Sequence, residues 1–191
     1  KYIEQNKDKP FFLYLAHFAV HDPIEGRPDL VEKYQKKLAV MNTPDGDPYI
    51  LEGKPGTSNP VSRNEQNQLL DDEGYRGYKV FLNQSVKIKQ HQDNVQFAAM
   101  VESMDESMGR VLDKLEELNL EDNTIVIFYS DNGGMSAANF WDPEREIPEE
   151  DLDKAFSTSN LPLRGAKGWL YEGGIRVPLI IKWPGYGLQK A

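Results

Sequence analysis

Cysteine is absent from the 191 residues, which excludes disulfides, thiolate metal sites and a cysteine nucleophile within this chain. Compartment stays open, because many exported proteins also lack cysteine. Positive charge is scarce. With 22 Lys and Arg against 31 Asp and Glu, the net charge is -9, which argues against a nucleic-acid partner, since phosphate backbones need a basic face. An anionic small substrate is still allowed, because a few positive groups can act locally inside a negative protein. No apolar run approaches the roughly 18 residues of a membrane span, and no signal-peptide pattern is read at the start of the sequence. The chain also lacks an initiating Met. It opens on Lys1-Tyr2-Ile3-Glu4, which reads as the tail of a helix and suggests a piece of a longer protein.

What is present is a globular composition, 39% hydrophobic and 28% charged, enough for one domain with a core. Pro10 breaks the opening helix, and "FFLYLA", residues 11–16, reads as a buried strand by length and composition. A helix is predicted from Asp29, with Pro28 at its start. From Met41 to Asn67 the density of Pro, Gly, Asn, Ser and Asp is that of a long loop, and "KVFLNQSVKIKQ" is ambiguous. The clearest helix carries Val101, Met104, Met108, Val111, Leu112, Leu115 and Leu118 at spacings of three and four, with carboxylates opposite. The two Met on this stripe read as core filler. "TIVIFYS" follows as a strand that alternates poorly, so it is expected to be internal, parallel and buried on both faces. "VPLIIKWPG" supplies a last strand. Strand, helix and strand in this order predict an α/β fold with a mostly parallel or mixed sheet flanked by helices.

In open α/β sheets ligands bind beyond the carboxyl ends of the strands, and three places fit. His21 follows the first strand, where it reads either as an acid or base or as a locally bonded strand-end histidine. Asp131 and Asn132 follow "TIVIFYS" and precede Gly133 and Gly134. They could be two oxygen ligands for a hard cation, or simply a turn. Lys167 sits among glycines, either as a point charge for an anion or as a solvated loop lysine. His17 reads as structural, and Arg164 and Arg176 as partners of the surplus carboxylates. "SNPVSR", from Ser58 to Arg63, superficially matches a Ser-x-Pro-x-Arg nucleophile motif. It has one residue too many and reads as loop.

"KPFFLYLAHFAVHDP", "MVESMDESMGRVLDKLEELNLEDNTIVIFYSDNGG" and "LPLRGAKGWLYEGGIRVPLIIKWPG" resemble, in order, three signature blocks of the formylglycine-dependent sulfatases, within the alkaline-phosphatase-like superfamily. The resemblance implies roles for the candidate residues. His21 would contact the sulfate and protonate the leaving alcohol. Asp131 and Asn132 would bind a divalent cation, Ca²⁺ with Mg²⁺ as the alternative, and Lys167 would bind sulfate oxygens. In the family a hydrated formylglycine attacks sulfur, and its second hydroxyl then expels sulfate.

The nucleophile motif and the first metal carboxylates cannot be placed here, which implies that residues 1–191 are the later part of a sulfatase catalytic domain. Alone, they are expected to have no sulfatase turnover and to bind Ca²⁺ weakly. Residues 24–94 are expected to be a substrate-loop or insertion region. The resemblance leans toward sulfated polysaccharides and a periplasmic or secreted protein. Two other readings stand beside it: a phosphodiesterase or phosphonate hydrolase of the same superfamily, and a non-catalytic protein that binds sulfated glycans.

Overall fold

The structure, a computed structural model, describes residues 1–42, 45–53, 58, 61–70, 76–78, 85–138 and 146–185. Five α-helices are present among them: α1 (Tyr2–Asn6), α2 (Pro28–Leu38), α3 (Arg63–Leu70), α4 (Val95–Glu117) and α5 (Glu172–Ile175). Four strands, β1 (Tyr49–Gly53), β2 (Ser85–Lys89), β3 (Val126–Tyr129) and β4 (Leu179–Lys182), form two antiparallel pairs, β1 with β2 and β3 with β4.

Helix α2 starts at a proline, whose missing N–H costs nothing at that position, and ends on Lys36 and Lys37, which suit the negative end of the helix dipole. It lies along α4. Arg27 bridges Asp29 and Glu106 at 2.6 Å each, and Lys33 reaches Glu102 at 2.5 Å. These exposed pairs fix orientation more than they stabilise. Helix α4 begins at Val95, six residues before the apolar stripe becomes readable. Asn94 caps it, its Oδ1 accepting from the Phe97 N–H at 2.9 Å. Ala99, Met100 and Leu115 of α4 are buried, Met104, Met108 and Val111 are half-buried, and Val101 and Leu112 are about 40% exposed.

The stretch from Met41 to Asn67, expected to be loop throughout, contains β1 and the first turn of α3. The strand exists because β2 supplies its ladder, in the register Tyr49 to Lys89 and Leu51 to Lys87. One face of this β1–β2 pair, a hairpin whose long connection carries α3, packs a core of Tyr49, Leu51, Tyr78, Ile147, Leu152, Ala155 and Phe156. Lys87 and Lys89 are buried on the same face. Lys87 Nζ lies 4.5 Å from the centroid of the Tyr49 ring and donates to the Gly77 carbonyl at 2.9 Å. Lys89 pairs with Asp93 at 2.6 Å and Asp153 at 3.2 Å. The opposite face packs Ile88 against Ala137 and Ala166.

Two strand expectations are corrected. Residues 11–16 form no strand, and Phe12 and Tyr14 are at least 80% exposed. Composition favours a strand, but a ladder needs a partner, and no described strand lies beside these residues. "TIVIFYS" does contain β3, yet β3 pairs antiparallel with β4, because the chain doubles back through the glycine-rich segment. It is not buried on both faces, since Ile127 and Tyr129 are about 60% exposed.

Candidate active site

The segment after β3 organises the site. Met135 packs with Ile24 and Met100, and Ala19 and Val20 lie against them, which seats the His21 loop on α4. Two residues on, Ala137 packs with Ile88 and Ala166, which seats the Lys167 loop on the hairpin. Ile24, Met100, Met135 and Ile88 each contribute about 1.5–3 kcal/mol on burial and the alanines less, so the segment holds a loop on either side of it by side-chain burial.

Main-chain contact closes the arrangement. Gly133 N–H donates to the Gly174 carbonyl at 2.9 Å, Gly173 N–H to Arg164 at 2.7 Å, and Lys167 N–H to Gly134 at 3.0 Å. A Cβ on Gly133 would stand 1.9 Å from the Gly173 oxygen, and one on Gly173 would stand 2.3 Å from the Gly165 oxygen. Only glycine lets the backbones approach this closely. Gly165 and Gly168 stand on either side of Lys167 at φ +82° and +86°, a conformation that costs other residues roughly 1–2 kcal/mol. The turn therefore presents the lysine side chain outward from a closely packed backbone.

Lys167 Nζ lies 2.6 Å from His21 Nε2, although 146 residues separate them in sequence. His21 Nδ1 lies 2.7 Å from Asp22 Oδ1. With Lys167 as an ammonium, Nε2 accepts its N–H, so the ring proton sits on Nδ1 and is donated to Asp22. Both side chains are accessible, His21 being half-exposed. His17 is turned away, with its Nε2 3.0 Å from the Ser107 hydroxyl on α4.

Asp131 is exposed and Asn132 partly so, and neither side chain makes a hydrogen bond or ion pair to another described residue. The turn is shaped by the Ser130 hydroxyl donating to the Asn132 carbonyl at 3.0 Å. Lys167 is bonded through its backbone to Gly134, three residues after Asp131, and three residues span at most about 11 Å. Two unengaged oxygen side chains on one turn suit a hard cation, which takes about six to eight oxygens. Among the described residues no three His, Cys, Asp or Glu side chains cluster to complete such a set.

The other cations near the site are engaged. Arg164 lies over the Tyr171 ring at 4.0 Å and 4.0 Å from Glu52, and Arg176 pairs with Glu172 at 3.3 Å. Arg63 opens α3 and donates to the Leu51 carbonyl at 3.0 Å, which makes it a structural residue of the hairpin. Sequence reasoning missed two residues here. Asp22 was visible beside His21 but carried no spacing signal, and Asn160 carried none at all.

The fold is an alkaline-phosphatase-like α/β arrangement, in which the His21 imidazole meets the Lys167 ammonium and the Asp131–Asn132 turn follows β3. The family model described as Sulfatase matches residues 1–191, and the chain belongs to the sulfatase family. A sulfatase of Formosa agariphila is 34% identical over 186 residues, covering 93% of this chain and 22% of that protein. An uncharacterized sulfatase of Schizosaccharomyces pombe is 26% identical, covering 94% of this chain and 35% of that one. The solved structure of Ps i-CgsB in complex with k-i-k-neocarrahexaose matches in fold, with a TM-score of 0.54 at 24% identity, over 96% of this chain and 26% of that one. The chain therefore spans roughly a fifth to a third of the length of these relatives. Sulfatases generally use a divalent cation and a formylglycine nucleophile. No helix among the described residues is long and apolar enough to cross a membrane.

Proposed function

We propose that the longer protein carrying this chain is a sulfuric ester hydrolase, and that His21, Lys167, Asp131 and Asn132 belong to its active site. The observation that supports this most is the 2.6 Å approach of Lys167 Nζ to His21 Nε2, with the lysine backbone tethered to the Asp131 turn. Their hydrogen bond brings an ammonium and an imidazole to one accessible point, where an entering anion would meet both.

A cation held by Asp131 and Asn132, Ca²⁺ in our reading, would polarise sulfuryl oxygens, and a formylglycine elsewhere in the protein would supply the nucleophile. The chain's own residues do the rest. Lys167 donates to a sulfuryl oxygen, and charge building there is stabilised by a donor already in place. His21 protonates the departing alkoxide from Nε2. In this structure Nε2 accepts from Lys167, so substrate entry has to draw the lysine N–H onto a sulfuryl oxygen before the ring can carry its proton on that side. Asp22 holds Nδ1, orients the ring and balances the imidazolium.

Residues 24–94 are our candidates for substrate selection, with sulfated polysaccharides as the substrate class. Such polymers do not cross membranes unaided, so we assign the protein to the periplasm or the exterior. In the longer protein, His21→Ala and Lys167→Ala are each expected to lower kcat/KM on an aryl sulfate by about 10²–10⁴, with matched phosphate esters turned over more slowly by the wild type. Unchanged turnover in both variants would remove these residues from the site. Robust hydrolysis by the 191-residue chain alone would show the machinery to be misplaced.

A further inference from the structure

Asn160 is the point at which the two halves of the candidate site are tied together. Its Nδ2 lies 2.7 Å from the Gly134 carbonyl, 3.2 Å from the Gly165 carbonyl, 3.0 Å from the Gly173 carbonyl and 3.2 Å from the Ser136 hydroxyl. A carboxamide nitrogen carries two hydrogens, so four oxygens from three chain segments share two donors. Gly134 and Ser136 follow the Asp131 turn, Gly165 precedes Lys167, and Gly173 opens the return toward β4.

The Gly134 carbonyl also receives the Lys167 N–H at 3.0 Å. One oxygen therefore joins the carboxamide, the lysine loop and the segment leading back to Asp131. The Ser136 hydroxyl also reaches the Gly165 carbonyl at 3.3 Å, and the Ser136 N–H the Gly134 carbonyl at 3.1 Å, so Asn160 is the one side chain that reaches all three carbonyls. The neighbouring Thr158 and the Asn160 oxygen fill the space beside Gly134, where a Cβ would meet them at 2.4 and 2.7 Å. A side-chain donor at this point adds to the main-chain bonds where three carbonyl oxygens converge.

We propose that Asn160 is a positioning residue, which fixes the spacing between the cation-binding turn and the Lys167 ammonium without touching the substrate. The proposal rests on the sulfatase reading above for its functional consequence, but not for its structural one. Asn160→Asp is the sharpest probe. It keeps the shape and replaces the donor by an oxygen facing four oxygens. Phe156→Leu, in the hairpin core, serves as a control that lowers stability without touching the crossing.

Three measurements on the longer protein test this, all made well below the unfolding temperature of each variant. Asn160→Asp is expected to weaken Ca²⁺ binding by at least tenfold and to lower kcat/KM on an aryl sulfate by about a hundredfold. It is also expected to speed amide exchange at Gly133, Lys167 and Gly173 by at least tenfold. Phe156→Leu is expected to leave all three within about twofold. If Asn160→Asp behaves like Phe156→Leu in exchange, Ca²⁺ affinity and turnover, the positioning role is overturned. If exchange accelerates but Ca²⁺ affinity and turnover hold, the spacing claim is overturned. If the wild type neither binds Ca²⁺ nor hydrolyses sulfate esters, the sulfatase reading fails, and the exchange arm still decides whether Asn160 holds the loops.

Discussion

The glycine crossing and the β1–β2 hairpin adjoin each other through Ala166 and Ile88, yet they are held by opposite means. At the crossing the backbones of residues 133–134, 164–166 and 173–174 touch directly, and the side chain that matters is one carboxamide. In the hairpin the backbones stand a strand spacing apart, and seven apolar side chains fill the volume around two buried lysines. The first arrangement tolerates no added atom and is itself buried at Gly165, Gly173 and Gly174, while the His21 and Lys167 side chains stand accessible at its edge. The second tolerates some repacking but must stay dry. A site that accepts a charged, hydrated substrate is better built from the first.

The largest expected effect breaks this comparison inside the crossing. Gly173→Ala places a methyl 2.3 Å from the Gly165 oxygen and 2.6 Å from the Arg164 oxygen, both backbone atoms. Neither can yield without separating the loops. A destabilisation above about 4 kcal/mol, among the largest single-residue effects, is expected in denaturant unfolding. Gly109→Ala is the matching control. It lies inside α4 with nothing within 4 Å of its added Cβ, and should stabilise by about 0.5–1 kcal/mol. Equal effects at the two positions would mean that the crossing is not closed in solution.

The hairpin supplies the next test. Burial pushes the Lys87 amine down to about 8, while Asp47 and Glu149 oppose the shift weakly. Below that pH the ammonium exists in both folded and unfolded chains. Between about 8 and the ordinary value of 10.5 the unfolded chain keeps a proton that the folded chain has released. The unfolded state then binds more protons, so stability rises with pH across this window, by up to about 3 kcal/mol. Tyr49 works against the gain from about pH 10. Burial raises its hydroxyl pKa, so the unfolded chain ionises first. Lys87→Met should abolish the rise between pH 8 and 10 in thermal unfolding. An unaltered slope would move its origin to another group.

How much of this was legible follows from the same contrast. The Asp131 turn, the Lys167 loop and the His21 loop each announce themselves locally, through glycines, a histidine and an acid–amide pair within a few residues. The hairpin does not. Tyr49–Gly53 lies in a stretch whose composition is that of a loop, and Lys87 and Lys89 carry charges that a sequence reading assigns to the surface. Their burial depends on Tyr49, on two main-chain carbonyls and on Asp93 and Asp153, most of them distant in sequence. The apolar run 11–16 errs the other way. Its composition is that of a strand, but pairing is non-local and no described strand adjoins it. Asn160 was unreadable for a third reason, since its partners are main-chain oxygens, which have no residue identity to recognise. The 2.6 Å approach of Lys167 to His21 is likewise a property of the fold, because neither residue carries any trace of the other.

The smallest expected effect concerns β3 and β4, the strands that lead into and out of the crossing but share neither way of being held. Ile127 is 59% exposed, and its partner across the ladder, Ile181, is 42% exposed. A two-stranded ribbon with this much open apolar surface is marginal by itself, and contiguous apolar surface on a folded protein marks a contact. In the 191-residue chain Ile127→Thr should shift stability by less than about 0.5 kcal/mol, as exposed positions do. Ile88→Thr, at a position 2% exposed, should cost about 2–3 kcal/mol through the lost methyl and the buried hydroxyl. Repeating both in the longer protein sharpens the contrast. If further chain covers the ribbon there, the cost at Ile127 should climb toward that at Ile88. A cost at Ile127 above about 2 kcal/mol in the 191-residue chain would mean that the ribbon is already covered, and that the crossing is not flanked by open strands.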